Sequence, residues 1–197
     1  AETVQDLAAE HGGNAFEWAS TPEERTRLWS ARHMAYFAGL QTRPGCTAIT
    51  TDACVPISQL VTAVLDSVQE AEASGIPYVM VGHVGDGNFH RGYLIDPASS
   101  EERAQAEQLN HQLVARALRL GGTCTGEHGV GIEKINSMCV QFTELERDAF
   151  WSVKFAFDPT GLLNFDKAIP TRNRCAEYGK LVVRRGETLP HPELSRF

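Results

Sequence analysis

The sequence predicts an α+β fold: an antiparallel sheet covered by helices on one face, followed by a C-terminal helical segment and an irregular tail. Two observations carry that expectation. Apolar residues recur at helical spacing in stretches that stop at glycine or proline, and short runs of strand composition lie between them. Two of these runs, 77–84 and 88–95, flank an Asp-Gly pair as the arms of a hairpin do. Strands joined by hairpins and helices favour one layer of sheet under one layer of helix.

Taken in order, residues 2–11 read as a helix closed by Gly12-Gly13, and "NAFEWA" as a short strand. Thr21-Pro22-Glu23-Glu24 opens the next helix, with Thr21 as N-cap, Pro22 at the first position and acids in the first turn. That helix runs to about Thr42, where Arg43-Pro44-Gly45 ends it. "TAITTDACVP" reads as one strand, Ser58 to Ser74 as a helix closed by Gly75, and 99–120 as a helix ending at Gly121-Gly122. A glycine-rich loop, "GGTCTGEHGVG", leads to helical turns over 132–138 and a helix over about 143–157. "DPTGLLN" is a turn, and the composition after Pro170 is that of a tail. Trp18, Trp29, Trp151, Phe155 and Phe157 fall at the helical or strand spacing of core residues.

Composition excludes several classes. A net charge of −7 with no basic stripe argues against a nucleic-acid surface; Arg184-Arg185 is the only basic cluster. No apolar run approaches the roughly 18 residues of a membrane span. Five cysteines (Cys46, Cys54, Cys124, Cys139, Cys175) without a leader favour reduced thiols in a cytosol-like compartment. The first residue already stands inside a helical pattern, so the chain is expected to be a piece of a longer one.

The stretch "VGHVGDGNFHRG" carries the first chemical signal. With Asp86-Gly87 as a two-residue loop, Gly85 faces Asn88, Val84 faces Phe89, and His83 faces His90 on one surface of the sheet. Two readings stand for this pair: a bidentate metal grip, or unrelated histidines of a sheet. "TGEHGVG" offers Glu127 among glycines that let the backbone approach a ligand closely. Two histidines and a carboxylate form a facial set with open positions for substrate, leaving His128 as a general base near the metal. Standing alone, "GEHG" reads first as an exposed acidic loop and only second as a functional one.

"GHVGDGNFH", "GGTCTGEHGVGIEKI" and "FDPTGLLN", in this order and spacing, resemble the C-terminal half of the FAD-linked oxidases. Within that group the chain is similar to D-lactate dehydrogenases and to the flavoprotein subunit of glycolate oxidase. "LWSARHMAYFAGLQTRPGCTAITTDACVP" resembles the first branch, and the tail from Ile169 the second. The resemblance implies a two-domain enzyme, with FAD on an N-terminal domain and a cap supplying the substrate site. It implies residues 1–140 as the substrate or cap domain with its first strand missing, 141–170 as a helical segment against an absent FAD domain, and 171–197 as tail.

By the same resemblance, His83, His90 and Glu127 hold a divalent metal, commonly zinc, and His128 is the catalytic base. Arg32 matches an arginine that grips the substrate carboxylate, a task suited to the guanidinium fork; without the family, a surface helix arginine is an equal reading. Asn164 is placed to face the flavin, and Asn88, first a turn residue, has a second reading as a contact to substrate or flavin. A lysine of the 2-hydroxyglutarate relatives is replaced near Thr50, which favours a small monocarboxylate. The usual Leu-Asn-Pro-Gly-Lys is here Leu163-Asn164-Phe165-Asp166-Lys167. No glycine-rich pyrophosphate loop is present, and the glycines at 82, 85 and 87 belong to the hairpin, so FAD is expected to bind mainly to the missing domain.

The activity implied is oxidation of D-lactate to pyruvate with hydride transfer to FAD. Glycolate to glyoxylate is the alternative, and a non-catalytic metal-binding or docking module the rival from another class. A homodimer, partner subunits and an electron acceptor at the membrane are the assemblies the resemblance leaves open. The location implied is the cytoplasm or the inner face of the membrane.

Overall fold

The computed structural model describes residues 1–14 and 16–175. The chain divides into two compact units, Ala1–Thr47 and a second from Ala48 onward. The first holds α1 (Glu2–Glu10) and α2 (Pro22–Gln41). Thr21 caps α2 as its sequence predicts, and the cap is reciprocal: the Glu24 amide donates to the Thr21 hydroxyl while the Glu24 carboxylate accepts from the Thr21 amide. Residues 14 and 16–19, expected as part of a strand, are irregular.

The second unit is the α+β layer the sequence predicts. Its strands are β1 (Thr47–Thr50), β2 (Ala53–Cys54), β3 (Tyr78–His83) and β4 (Asn88–Ile95). Central β4 pairs antiparallel with β3 on one edge, while β1 and β2 follow one another along the other. "TAITTDACVP" is therefore a broken strand rather than a continuous one. Thr51 and Asp52 interrupt it, although the Thr51 amide still donates to the Arg91 carbonyl at 2.8 Å.

Alternation along β4 sends its two sets of side chains to opposite faces. Phe89, Tyr93 and Ile95 face α3 (Ile57–Ser74) and α4 (Ser100–Arg119). α3 buries Leu60, Ala63, Ser67 and Ala71, a one-sided stripe, and Gly75 ends it in the left-handed region at φ 73°. Arg91, on the same face, is fully buried; its guanidinium donates to the Ser67 hydroxyl at 3.0 Å and lies 4.5 Å over the Tyr78 ring. Both helices thus occupy one face, and Asn88 and His90 project from the other.

After the glycine-rich loop come α5 (Ile135–Gln141), α6 (Glu144–Phe157) and the short α7 (Arg172–Cys175). Val114, Cys124 and Met138 form a smaller core here, with Phe142 and Phe150 packed on it edge to face at 5.0 Å. Cys139 and Cys175 are joined by a disulfide, which corrects the expectation of five reduced thiols; both cysteines are buried, and Cys46, Cys54 and Cys124 remain free. The irregular tail expected from the sequence lies, from residue 176, outside the described residues.

A second correction concerns the aromatic residues expected in the core. Trp18 is 63% exposed, Trp29 50%, Phe155 53% and Phe157 84%, and Trp151 is half-buried. Their spacing marks apolar faces that no described residue covers. No described helix is long and apolar enough to cross a membrane.

Candidate functional site

The hairpin that carries both histidines closes differently from its expected form. Val84–Asp86 make a 3-10 turn, and Gly87 follows at φ 74°, so four residues rather than two form the loop. His83 pairs with Asn88, and Val81 with His90. The direct opposition of His83 and His90 is thereby corrected, yet both still share a face. A slip of two residues preserves the alternation that a slip of one would reverse. His83 and His90 are diagonal neighbours, with ring centroids 6.1 Å apart. They stand on the face opposite α3 and α4.

The loop before α5 brings the third group. Glu127 Oε1 lies 2.8 Å from His90 Nε2 and 3.7 Å from His83 Nε2. The three donor atoms lie within 4.8 Å of one another. His128 stacks on His90 at 4.8 Å between centroids and 8° between planes, with its Nε2 3.6 Å from Glu127 Oε1. Asn88, the cross-strand partner of His83, packs against Gly126, where any Cβ would stand 2.4 Å from Asn88 Oδ1. Gly126 is thus required by close approach, as the glycine content of this loop suggests.

One buried atom tests whether the donor set suits a cation. The His90 side chain is 7% exposed, and its Nε2 has no hydrogen-bond partner although Glu127 Oε1 lies 2.8 Å away. The other ring nitrogen, Nδ1, lies 3.2 Å from the Thr51 carbonyl. Donation from Nδ1–H to that carbonyl leaves the Nε2 lone pair directed at the cluster, the tautomer a metal ligand needs. Ligands about 2.0–2.2 Å from a zinc ion are roughly 3–3.5 Å apart, close to the separations of Glu127 from the two histidines. His83, His90 and Glu127 fit a divalent cation.

The loop is held from beneath by a residue the sequence reading did not single out. Asp52, 1% exposed, sits at the break between β1 and β2. Its Oδ2 accepts from the Thr125 hydroxyl (2.6 Å), the amides of Gly126 (2.9 Å), Glu127 (3.2 Å) and His128 (3.0 Å), and Lys134 Nζ (3.1 Å). Burial pushes its carboxyl up, but the Thr125 hydroxyl, the His128 amide and the Lys134 ammonium outweigh it and hold the group well below the usual carboxylate range. The available signal was an acid inside an apolar strand pattern, read there as part of the strand. Lys134, also absent from that reading, donates a second bond to the Asp52 carbonyl at 3.1 Å.

A cleft of about 300 Å³ opens beside His128, lined by Thr50 and the segment 128–134. Asn164 lies on an exposed turn after α6 with φ 46°, in the left-handed region that asparagine tolerates better than most residues. Arg32 belongs to α2 of the first unit, its guanidinium 5.6 Å from the Trp29 ring centroid.

Residues 1–168 match the family described as FAD linked oxidases, C-terminal domain. Among curated proteins, the probable mitochondrial D-lactate dehydrogenase of Danio rerio is 38% identical over 166 residues, covering 84% of this chain and 33% of that one. The glycolate oxidase subunit GlcD of Escherichia coli K12 is 38% identical over 196 residues, covering 100% of this chain and 39% of that one. The chain spans between a third and two fifths of these relatives. The solved 4-ethylphenol oxidase of Gulosibacter chungangensis shares the fold, with a TM-score of 0.53 at 17% identity over 79% of this chain and 32% of that chain.

Proposed function

The chain belongs to the family of FAD-linked oxidase C-terminal domains, and from that premise we propose that it is the substrate- and metal-binding part of a flavin-dependent 2-hydroxy-acid dehydrogenase oxidising D-lactate to pyruvate. The observation that carries the reading is the convergence of His83, His90 and Glu127, with His128 stacked beside them. FAD, held mainly by a part of the protein outside these residues, supplies the acceptor for hydride. A divalent cation, zinc in this reading, supplies positive charge that acidifies the substrate hydroxyl.

The residues do the rest. His83, His90 and Glu127 hold the cation, and the Thr51 carbonyl orients His90 for that task. His128 accepts the hydroxyl proton at Nε2 as general base. Arg32 grips the substrate carboxylate through paired guanidinium hydrogen bonds, while Asn88 and Asn164 contact substrate or flavin. Lys134, the one lysine or arginine among the described residues lining the cleft, is already engaged by Asp52, which supports a substrate without a second acidic group.

Glycolate is the second reading, favoured by one observation: GlcD aligns with the whole chain, whereas the D-lactate dehydrogenase of Danio rerio aligns with 84% of it. A partner subunit, a homodimer, an electron acceptor at the membrane and a cytoplasmic or membrane-peripheral location belong to this proposal. The test is anaerobic mixing of the full-length, FAD- and metal-loaded protein with D-lactate or glycolate while flavin absorbance is followed. Fast bleaching by D-lactate and slow bleaching by glycolate supports the first reading, and the reverse supports the second. Bleaching by neither overturns both, and failure to bind FAD at all favours a non-catalytic module.

A further inference from the structure

We propose that Asp52 is the positioning residue of this site: its buried carboxylate fastens the 125–128 loop to the sheet, so that Glu127 and His128 are held against His90. Five donors from two segments converge on one side chain: the Thr125 hydroxyl, three consecutive amides and the Lys134 ammonium. Its Oδ1 faces His90 Nδ1 at 3.7 Å, beside the carbonyl that fixes the ring. One group therefore touches the strand that carries His90 and the loop that carries Glu127.

The chemistry selects aspartate. An amide of the same shape could keep its oxygen at the Oδ2 position, but it would turn N–H groups toward the Glu127 amide, which also donates to Oδ1 at 3.3 Å, and toward His90 Nδ1. Charge matters as well, because the Lys134 ammonium is buried against Asp52 and is left uncompensated when the carboxylate is lost.

The experiment is Asp52→Asn in the 197-residue chain, read by circular dichroism, amide exchange and titration with cobalt(II) as the probe. The expected result is a folded protein whose amides at 126–128 lose at least tenfold in protection while those of β4 keep theirs. Cobalt affinity should fall about 10–100-fold, the usual effect of removing a group that orients metal ligands, with a changed visible spectrum. Unchanged protection at 126–128, or an equal loss throughout α3, β4 and the loop, overturns the proposal. If Asp52→Asn does not fold, Thr125→Val removes one of the five bonds and is read the same way: selective loss at 126–128 supports the role, and no change overturns it. The cobalt readout rests on the metal reading above, but the exchange pattern does not. A parent chain that binds no cobalt therefore defeats the metal reading and leaves Asp52 to be decided by exchange alone.

Discussion

Replacing Gly126 by alanine tests whether the ligand loop and β4 are in true contact. The added methyl would lie 2.4 Å from Asn88 Oδ1, 2.5 Å from its Cγ and 2.8 Å from its Nδ2. Ordinary carbon contacts begin near 3.5 Å, so about 1 Å of relief must come from somewhere. Gly126 is not in the left-handed region, so the perturbation is steric rather than conformational. Asn88 is buried on the central strand and cannot swing freely into solvent. Overpacking of this kind costs about 1–3 kcal/mol, and urea unfolding should show a loss in that range. Cobalt affinity should fall with it, by about tenfold, because Glu127 is the next residue along the moved backbone. The double variant Gly126→Ala, Asn88→Ala clears the clash, and Asn88 Oδ1 has no partner to forfeit among the described residues. Recovery of most of the stability, as a coupling of about 0.5–3 kcal/mol, is expected. Equal urea midpoints for parent and Gly126→Ala, or no coupling with Asn88, would refute the contact.

Further outcomes follow from three particular groups. Unfolded without reductant, the chain should expose three titratable thiols, from Cys46, Cys54 and Cys124, and five would exclude the disulfide. Reduction should lower stability by at most ~4 kcal/mol for a sequence separation of 36 residues, read as a fall in urea midpoint. Asp158 is held below the usual carboxylate range first by the Lys154 ammonium, then against some burial by the Leu163 and Leu162 amides. A depressed folded pKa gives stability that is present above the unfolded value, near 4, and lost as pH falls through the folded one. Asp158→Asn should therefore flatten the acid limb of stability against pH, and an unchanged limb would remove Asp158 from it. Phe89→Ala should cost about 3–5 kcal/mol in urea unfolding, since Phe89 is 2% exposed between α3 and α4; a loss under 1 kcal/mol would contradict that packing.

The helices and the hairpin were legible because local chemistry fixes them: Thr21 caps α2, Gly75 ends α3, and an Asp-Gly pair between two runs of strand composition marks β3 and β4. The shared face of His83 and His90 was legible for a subtler reason. Faces depend on the parity of the register, so the expected two-residue turn and the observed four-residue loop give the same answer about sides and different answers about partners. Which turn forms was not legible, because Asp86-Gly87 suits either: glycine supplies the positive φ that ends both. The Cys139–Cys175 pairing was hidden too, since sequence gives no Cα separation and these two lie 5.3 Å apart only after α5 and α7 have packed.

Asp52 and the exposed aromatics mark the limit of pattern reading from opposite sides. Periodicity reports which side of an element is apolar, but not what covers that side. Trp29, Phe155 and Phe157 satisfy a helical pattern and still face outward, in a chain spanning a third to two fifths of its relatives. Periodicity equally reports an acid in a strand as an exception without saying what it serves. Asp52 makes sense only when residues 73 to 76 positions away arrive with one hydroxyl and three amides pointing at it. A buried carboxylate is unfavourable until those donors are in place, so the loop and Asp52 stabilise each other. The geometry of Glu127 against His90 is then a consequence of that mutual requirement rather than of either segment alone.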